Sequence, residues 1–146
     1  MKVTTPKLIR WAGLSAVVAG IIFTAVQPTH PSINTSTFII ITSLKTSISI
    51  FGLLGITGLY ARQVEETGWQ GLAGYLLLTI YYAVQMCISF IEPTILPLLT
   101  TVAPTFVASA LQLSSGVGSP TDLGSFTTIY SLASILYVLG SLLFGL

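Results

Sequence analysis

Four apolar stretches, each long enough to cross a bilayer, fill most of this chain, and nearly all of its few charged side chains lie at their ends. Hydrocarbon cannot solvate a lone charge or an unpaired backbone amide, so a segment of this kind survives there only as a helix with every backbone bond closed internally. The remaining composition agrees. Of the 146 residues, 53% are hydrophobic and only 6% are charged, and the mean hydropathy is +0.92, outside the range of a water-soluble domain. The expected fold is therefore all-α, a single polytopic transmembrane domain over 1–146 arranged as an antiparallel four-transmembrane-helix bundle.

The boundaries follow from breakers and caps. The first span is expected over 9–27, stopped by Pro28 and Pro31. It is not a cleaved signal peptide, because Gln27-Pro28-Thr29-His30-Pro31 offers no small-x-small site. The second span, 37–61, starts behind Asn34, Thr35 and Ser36 as candidate caps. Arg62, Glu65 and Glu66 mark a wet loop closed by Gly68 and Trp69, and the third span covers 71–92. Residues 93–122 form the longest loop, and within it Phe106, Val107, Ala110, Leu111 and Leu113 share a helical face behind Pro104. That pattern predicts a short interfacial helix lying on the membrane. The run from Ser114 to Pro120 reads as loop, and Asp122 or Thr121 caps a fourth span over 123–146.

Lys2, Lys7 and Arg10 precede the first span and Arg62 follows the second, while the opposite loops carry no Lys or Arg. The positive-inside rule then puts both termini in the cytoplasm and turns His30, Glu92, Asp122 and the long loop outward. A net charge of +1 leaves no basic patch for nucleic acid. The single cysteine, Cys87, has no disulfide partner in the chain and is expected as a small buried hydrophobe. One histidine cannot build a multi-histidine metal site, and no Ser/His/Asp order, Cys-x-x-Cys pair or phosphate loop is visible. Neither catalytic residues nor metal or cofactor ligands are assigned.

Small residues predict how the helices meet. Ala12, Ala16 and Gly20 recur every fourth residue in the first span, Gly52, Gly55 and Gly58 every third in the second, and Gly71 with Gly74 opens the third. Such rows allow backbones to approach closely. The many hydroxyls, among them Thr42, Ser47, Thr57, Ser131 and Ser134, can bond to the preceding turn of their own helix and need no further partner.

Lys45 is the most informative single residue. An ammonium inside a span costs about 2.5 to 3.5 kcal/mol on insertion scales, so something should offset it. Helix rise puts Lys45 level with Gln85, and Glu92 about two turns farther out on the same stripe with Ser89 between them, so a Lys45 side chain stretched outward can reach Glu92. Lys45, Gln85, Ser89 and Glu92 are therefore a candidate intramembrane polar cluster; snorkelling of Lys45 to the headgroups is the alternative. Trp69, Tyr75, Tyr81, Tyr82 and Phe90 give the third span an aromatic face that packing, interface anchoring or a bound lipid, quinone or carotenoid would each explain.

The stretch GLLGITGLYARQVEETGWQGLAGYLL that opens at Gly52, with LIRWAGLSAVVAG from Leu8 and the His30-Pro31 pair, resembles a group of small uncharacterised bacterial multi-span membrane proteins. The resemblance covers roughly the first two-thirds of the chain. It implies a bacterial inner-membrane location and further hydrophobic helices beyond Leu146, and carries no functional residue with it.

The favoured function is a non-catalytic one: an accessory or structural subunit of a membrane complex, working through intramembrane contacts with protein partners, copies of itself and lipid. A second reading is a binding or carrier protein for a hydrophobic ligand, admitted beneath the Phe106 to Leu113 segment. A third is a membrane enzyme using Glu92 with His30 as acid and base.

Overall fold

The computed structural model describes residues 4–29, 32–33, 35–116 and 121–145. These form five helices: α1 (Thr5–Val26), α2 (Ser36–Thr94), α3 (Leu96–Leu99), α4 (Pro104–Ser114) and α5 (Ser125–Gly145). There is no strand among the described residues. Three of the helices, α1, α2 and α5, are long and apolar enough to cross a membrane, which is compatible with an integral membrane protein.

At 59 residues α2 would be about 88 Å long if straight, at about 1.5 Å per residue. It is not straight. Gly68 sits at φ 53 and ψ −144, outside helical geometry, in a region that side chains with a Cβ rarely adopt. The segments 36–67 and 69–94 fold back on each other there. Tyr60 and Tyr75 stack with ring centroids 4.5 Å apart and planes 7° from parallel, and the Thr57 and Tyr75 hydroxyls lie 3.4 Å apart. Farther from the turn, Lys45 meets Glu92, so the pairing runs antiparallel along the whole hairpin.

The wet loop expected from Arg62 to Trp69 is therefore absent: helix continues through Arg62, Glu65 and Glu66, and one glycine reverses the chain. The hydropathy falls over this stretch, but Ala, Arg, Gln and Glu are strong helix formers that let the helix continue. Trp69 is 84% exposed just beyond the turn. At the other end Thr35 caps α2, its Oγ1 accepting from the Phe38 N–H at 3.1 Å; Asn34 lies outside the described residues.

Glycine contacts join the elements. A Cβ on Gly58 would collide with the Ala12 Cβ, and one on Gly55 would lie 2.7 Å from the Ala16 Cβ, so α1 runs antiparallel along the first segment of α2. Gly52 faces the Tyr82 ring across the hairpin. Gly74 would meet the α5 backbone at Phe144 Cα, 2.8 Å away, and Gly140 would come 3.0 Å from Leu78 Cγ. Tyr81 and Tyr137 add a ring contact at 4.9 Å. Thus α1 packs on the first segment, the two segments on each other, and α5 on the second.

Two of the expected packing positions behave differently. Nothing lies within 4 Å of a Cβ on Gly20, which is exposed. A row spaced every fourth residue drifts by about 40° per step around a helix of 3.6 residues per turn, so by Gly20 it has left the interface, which continues instead through buried Ala19 and Val26. Gly71 is buried, and the atoms nearest a Cβ there belong to Thr67 of the same helix, across the Gly68 turn. Cys87, expected to be buried, is exposed on the outer face of the hairpin.

The helix expected behind Pro104 forms as α4. Its apolar face, expected on the membrane, is turned onto protein: Val107 and Ala110 are buried, and Ala110 joins Leu96 and Leu123 in a small core flanked by Phe106, Leu111 and Leu113. The α4 helix thereby covers the end of the hairpin where Thr94 and Ser125 lie. Before α5, Asp122 Oδ1 accepts the Gly124 N–H at 2.7 Å, closing a turn in which Gly124 takes φ 57. Hydroxyls bond backward as expected, Thr57 to the Leu53 carbonyl at 2.8 Å and Ser131 to the Thr127 carbonyl at 3.0 Å.

Gly58→Leu should destabilise the fold by about 1–3 kcal/mol, the usual cost of forcing bulk into a filled contact. Thermal unfolding in detergent measures it, and an unchanged midpoint would contradict the α1 packing described.

Candidate functional site

Lys45 is on the first segment of α2 and Glu92 on the second, 47 residues later, and only the reversal at Gly68 brings them together. Lys45 Nζ donates to Glu92 Oε2 at 3.0 Å. The two are unequally covered: the Glu92 side chain is 6% exposed and that of Lys45 30%. Lys45 stands nine residues into α2 from Ser36, about 14 Å along the axis at about 1.5 Å per residue. Glu92 is two residues from the end of the helix at Thr94. Counted from Gly68, Lys45 lies 23 residues back and Glu92 24 residues on, so the two stand level across the hairpin.

Of the other cluster residues, Gln85 Nε2 donates to Ser89 Oγ at 3.4 Å, one turn apart on the same helix, and Ser89 is 1% exposed. No hydrogen bond joins this pair to Lys45 or Glu92 among the described residues. The structure thus forms two separate polar contacts on one face where the sequence suggests one cluster.

The ion pair floors a cavity of about 530 Å³. Phe38, Ile41 and Thr42, between Lys45 and the start of α2, form one wall, Thr42 being buried with its hydroxyl donating to the Phe38 carbonyl at 2.6 Å. The C-terminal half of α4 closes the opposite side with Leu111. Around the mouth stand Gln27 and Thr29 from the end of α1, and Gln112, Ser114 and Ser115 from α4. All but Ser114 are exposed. The arrangement has an ionic base, a partly apolar wall and a rim of amides and hydroxyls.

These surrounding residues were not legible as a site. Ile41 and Thr42 sit one turn from Lys45, a local signal that could have marked them, whereas Gln112, Ser114 and Ser115 arrive only because α4 folds over the hairpin end. The aromatic residues of the second segment do not line the cavity. Tyr75 stacks on Tyr60, Tyr81 packs against Tyr82 and Tyr137, and Phe90 is 59% exposed on the outer surface. His30 lies outside the described residues, so no geometry joins it to Glu92. No group of three or more His, Cys, Asp or Glu side chains able to hold a metal is present among the described residues.

The charges outside the cavity are polarised. Because Ala12 meets Gly58, the start of α1 with Lys7 and Arg10 lies beside the Gly68 end of the hairpin, where Arg62, Glu65 and Glu66 also project. Asp122 lies at the opposite end, ahead of α5.

No protein-family model, curated protein or solved structure matches this chain. The functional reading therefore rests on the geometry, and the ion pair gives it a measurable consequence. Truncating the lysine strands the better-buried partner, so Lys45→Met should cost about 2–4 kcal/mol, and Glu92→Gln less, because the freed ammonium is already partly exposed and can reach polar surroundings. Unfolding free energies of the two variants and their double mutant give the order and the coupling; equal small costs with no coupling would contradict a structural pair.

Proposed function

We propose that the chain crosses the bilayer four times, through α1, the two segments of α2 and α5, as an antiparallel bundle with α4 at the interface on the far side from Gly68. In this reading it lies in a bacterial inner membrane with both termini in the cytoplasm. The gathering of Lys7, Arg10 and Arg62 at one end supports that orientation through the positive-inside rule.

Its function is to act through intramembrane contacts, as an accessory or structural subunit of a membrane complex or a self-associating bundle. The observation that carries this is the face of α1 turned away from α2, a shallow, open patch formed by Val17, Gly20, Ile21, Thr24 and Ala25. Val17 is 58% and Ile21 64% exposed, and Gly20 opens the backbone between them. A small residue set between branched ones is the kind of surface on which a second helix packs in lipid, where association depends on van der Waals fit. Facing outward, α5 likewise leaves Ile135, Val138 and Leu142 more than half exposed.

A second reading, a binding or carrier protein for a hydrophobic ligand such as a lipid, quinone or carotenoid, is favoured by the cavity above Lys45 and Glu92, whose volume lies in the range of about 300–1,000 Å³ common for ligand sites.

Gly20→Ile tests the first reading, because a side chain there meets nothing within the chain and should leave its own fold intact. Purified in mild detergent, the wild type is expected to co-migrate with a partner chain or a second copy, and the variant to lose that association by tenfold or more. A wild type that runs alone, or a variant that retains its partner in full, would contradict the contact role.

A further inference from the structure

The cavity above the ion pair is electrically balanced, and that balance selects among ligands. Lys45 and Glu92 are the only ionisable side chains among its described lining residues, so the lining carries one positive and one negative charge. Tyr130 of α5 lies within electrostatic range of Glu92, but a phenol adds no charge near neutrality. Both ionic partners keep capacity for a ligand. The ammonium has three donors and uses one on Glu92, while Glu92 Oε1 takes no hydrogen bond from a described residue.

A purely anionic guest would make the well-covered Glu92 carboxylate share its one cation, the costlier loss; a purely cationic one would leave the partly exposed Lys45 ammonium without its carboxylate, a smaller one. Leaving one member of a covered pair alone is costly. A guest that carries both signs avoids either loss, replacing one internal ion pair with two to the ligand. The rest of the cavity suits such a group. Thr29 and Ser115 donate their hydroxyls to the Val26 and Gln112 carbonyls, which leaves their oxygens able to accept, and the Gln27 and Gln112 amides supply donors. Phe38, Ile41 and Leu111 offer an apolar wall for carbon next to the head.

We propose that this cavity binds the head of a zwitterionic molecule, its ammonium on Glu92 and its phosphate or carboxylate on Lys45. This rests on the second reading above and gives its ligand a chemical class, while the contact role on α1 is independent of it. The same head chemistry occurs on an ethanolamine phospholipid and on a free soluble zwitterion.

The test titrates the full chain in detergent micelles with short-chain phosphatidylethanolamine, phosphatidylglycerol and diacylglycerol, with bound adducts counted by native mass spectrometry. Phosphatidylethanolamine should bind at least tenfold more tightly than the other two. Gln112→Trp, an exposed change at the mouth, should weaken it tenfold or more with the unfolding midpoint unchanged. Competition by water-soluble phosphoethanolamine would identify a soluble ligand and its failure to compete a lipid, and both results sustain the proposal. Phosphatidylglycerol or diacylglycerol binding as tightly as phosphatidylethanolamine would overturn it, as would undiminished binding by the Gln112→Trp protein; in those cases the second reading itself stands. Saturable binding of none of the probes would remove both.

Discussion

Two helix backbones can come close only where a side chain is missing, and that limit organises this chain. Gly55 and Gly58 admit α1, Gly52 admits the Tyr82 ring, and Gly74 and Gly140 bring α5 onto the hairpin. In lipid the contacts would gain little from excluding an apolar solvent, so shape must supply the attraction. Once the hairpin is closed along these lines, the register places Lys45 opposite Glu92 without any further device. The polar floor of the cavity is thus a consequence of the Gly68 reversal 23 residues away, with Gly52 admitting Tyr82 on the way.

The ion pair and the helix over it belong to one arrangement. A charge in an apolar setting is tolerated when it is paired, and Lys45 is paired with Glu92 beneath the end of the hairpin that α4 covers. By turning Val107, Ala110 and Leu111 inward, α4 walls the space above the pair and sets Gln112 and Ser115 at its mouth. Its hydrophobic face is spent on the protein, which makes α4 a cover for the cavity in addition to the interfacial position proposed for it.

The elements were legible where physics is local. Apolar length located α1, α5 and both segments of α2; Pro104 announced α4; hydroxyls returned to their own backbone as their spacing required. The Lys45 and Glu92 contact was within reach of an outstretched lysine, but rise counted from the expected span ends sets Lys45 level with Gln85, and only the continuous helix through Arg62 to Thr67 brings it level with Glu92. What escaped was the single-residue turn at Gly68, because a drop in hydropathy looks the same whether the chain forms a loop or the helix continues. Gly20 escaped because a four-residue spacing rotates off a straight interface, and the cavity mouth because α4 reaches it only through tertiary folding. The outward face of Cys87 follows from which side of the hairpin α1 and α5 leave uncovered, and no local pattern encodes that.

The account stands on the hairpin of α2 crossing the bilayer and returning, with the Gly68 turn and the α4 cover in different compartments. Single cysteines placed at Glu66 and at Gln112 in a Cys87→Ser background, exposed in intact cells to a membrane-impermeant maleimide, measure this directly. The account predicts that the Gln112 position labels from outside and the Glu66 position only after the membrane is permeabilised. Labelling of both positions in intact cells, or of neither, would contradict it.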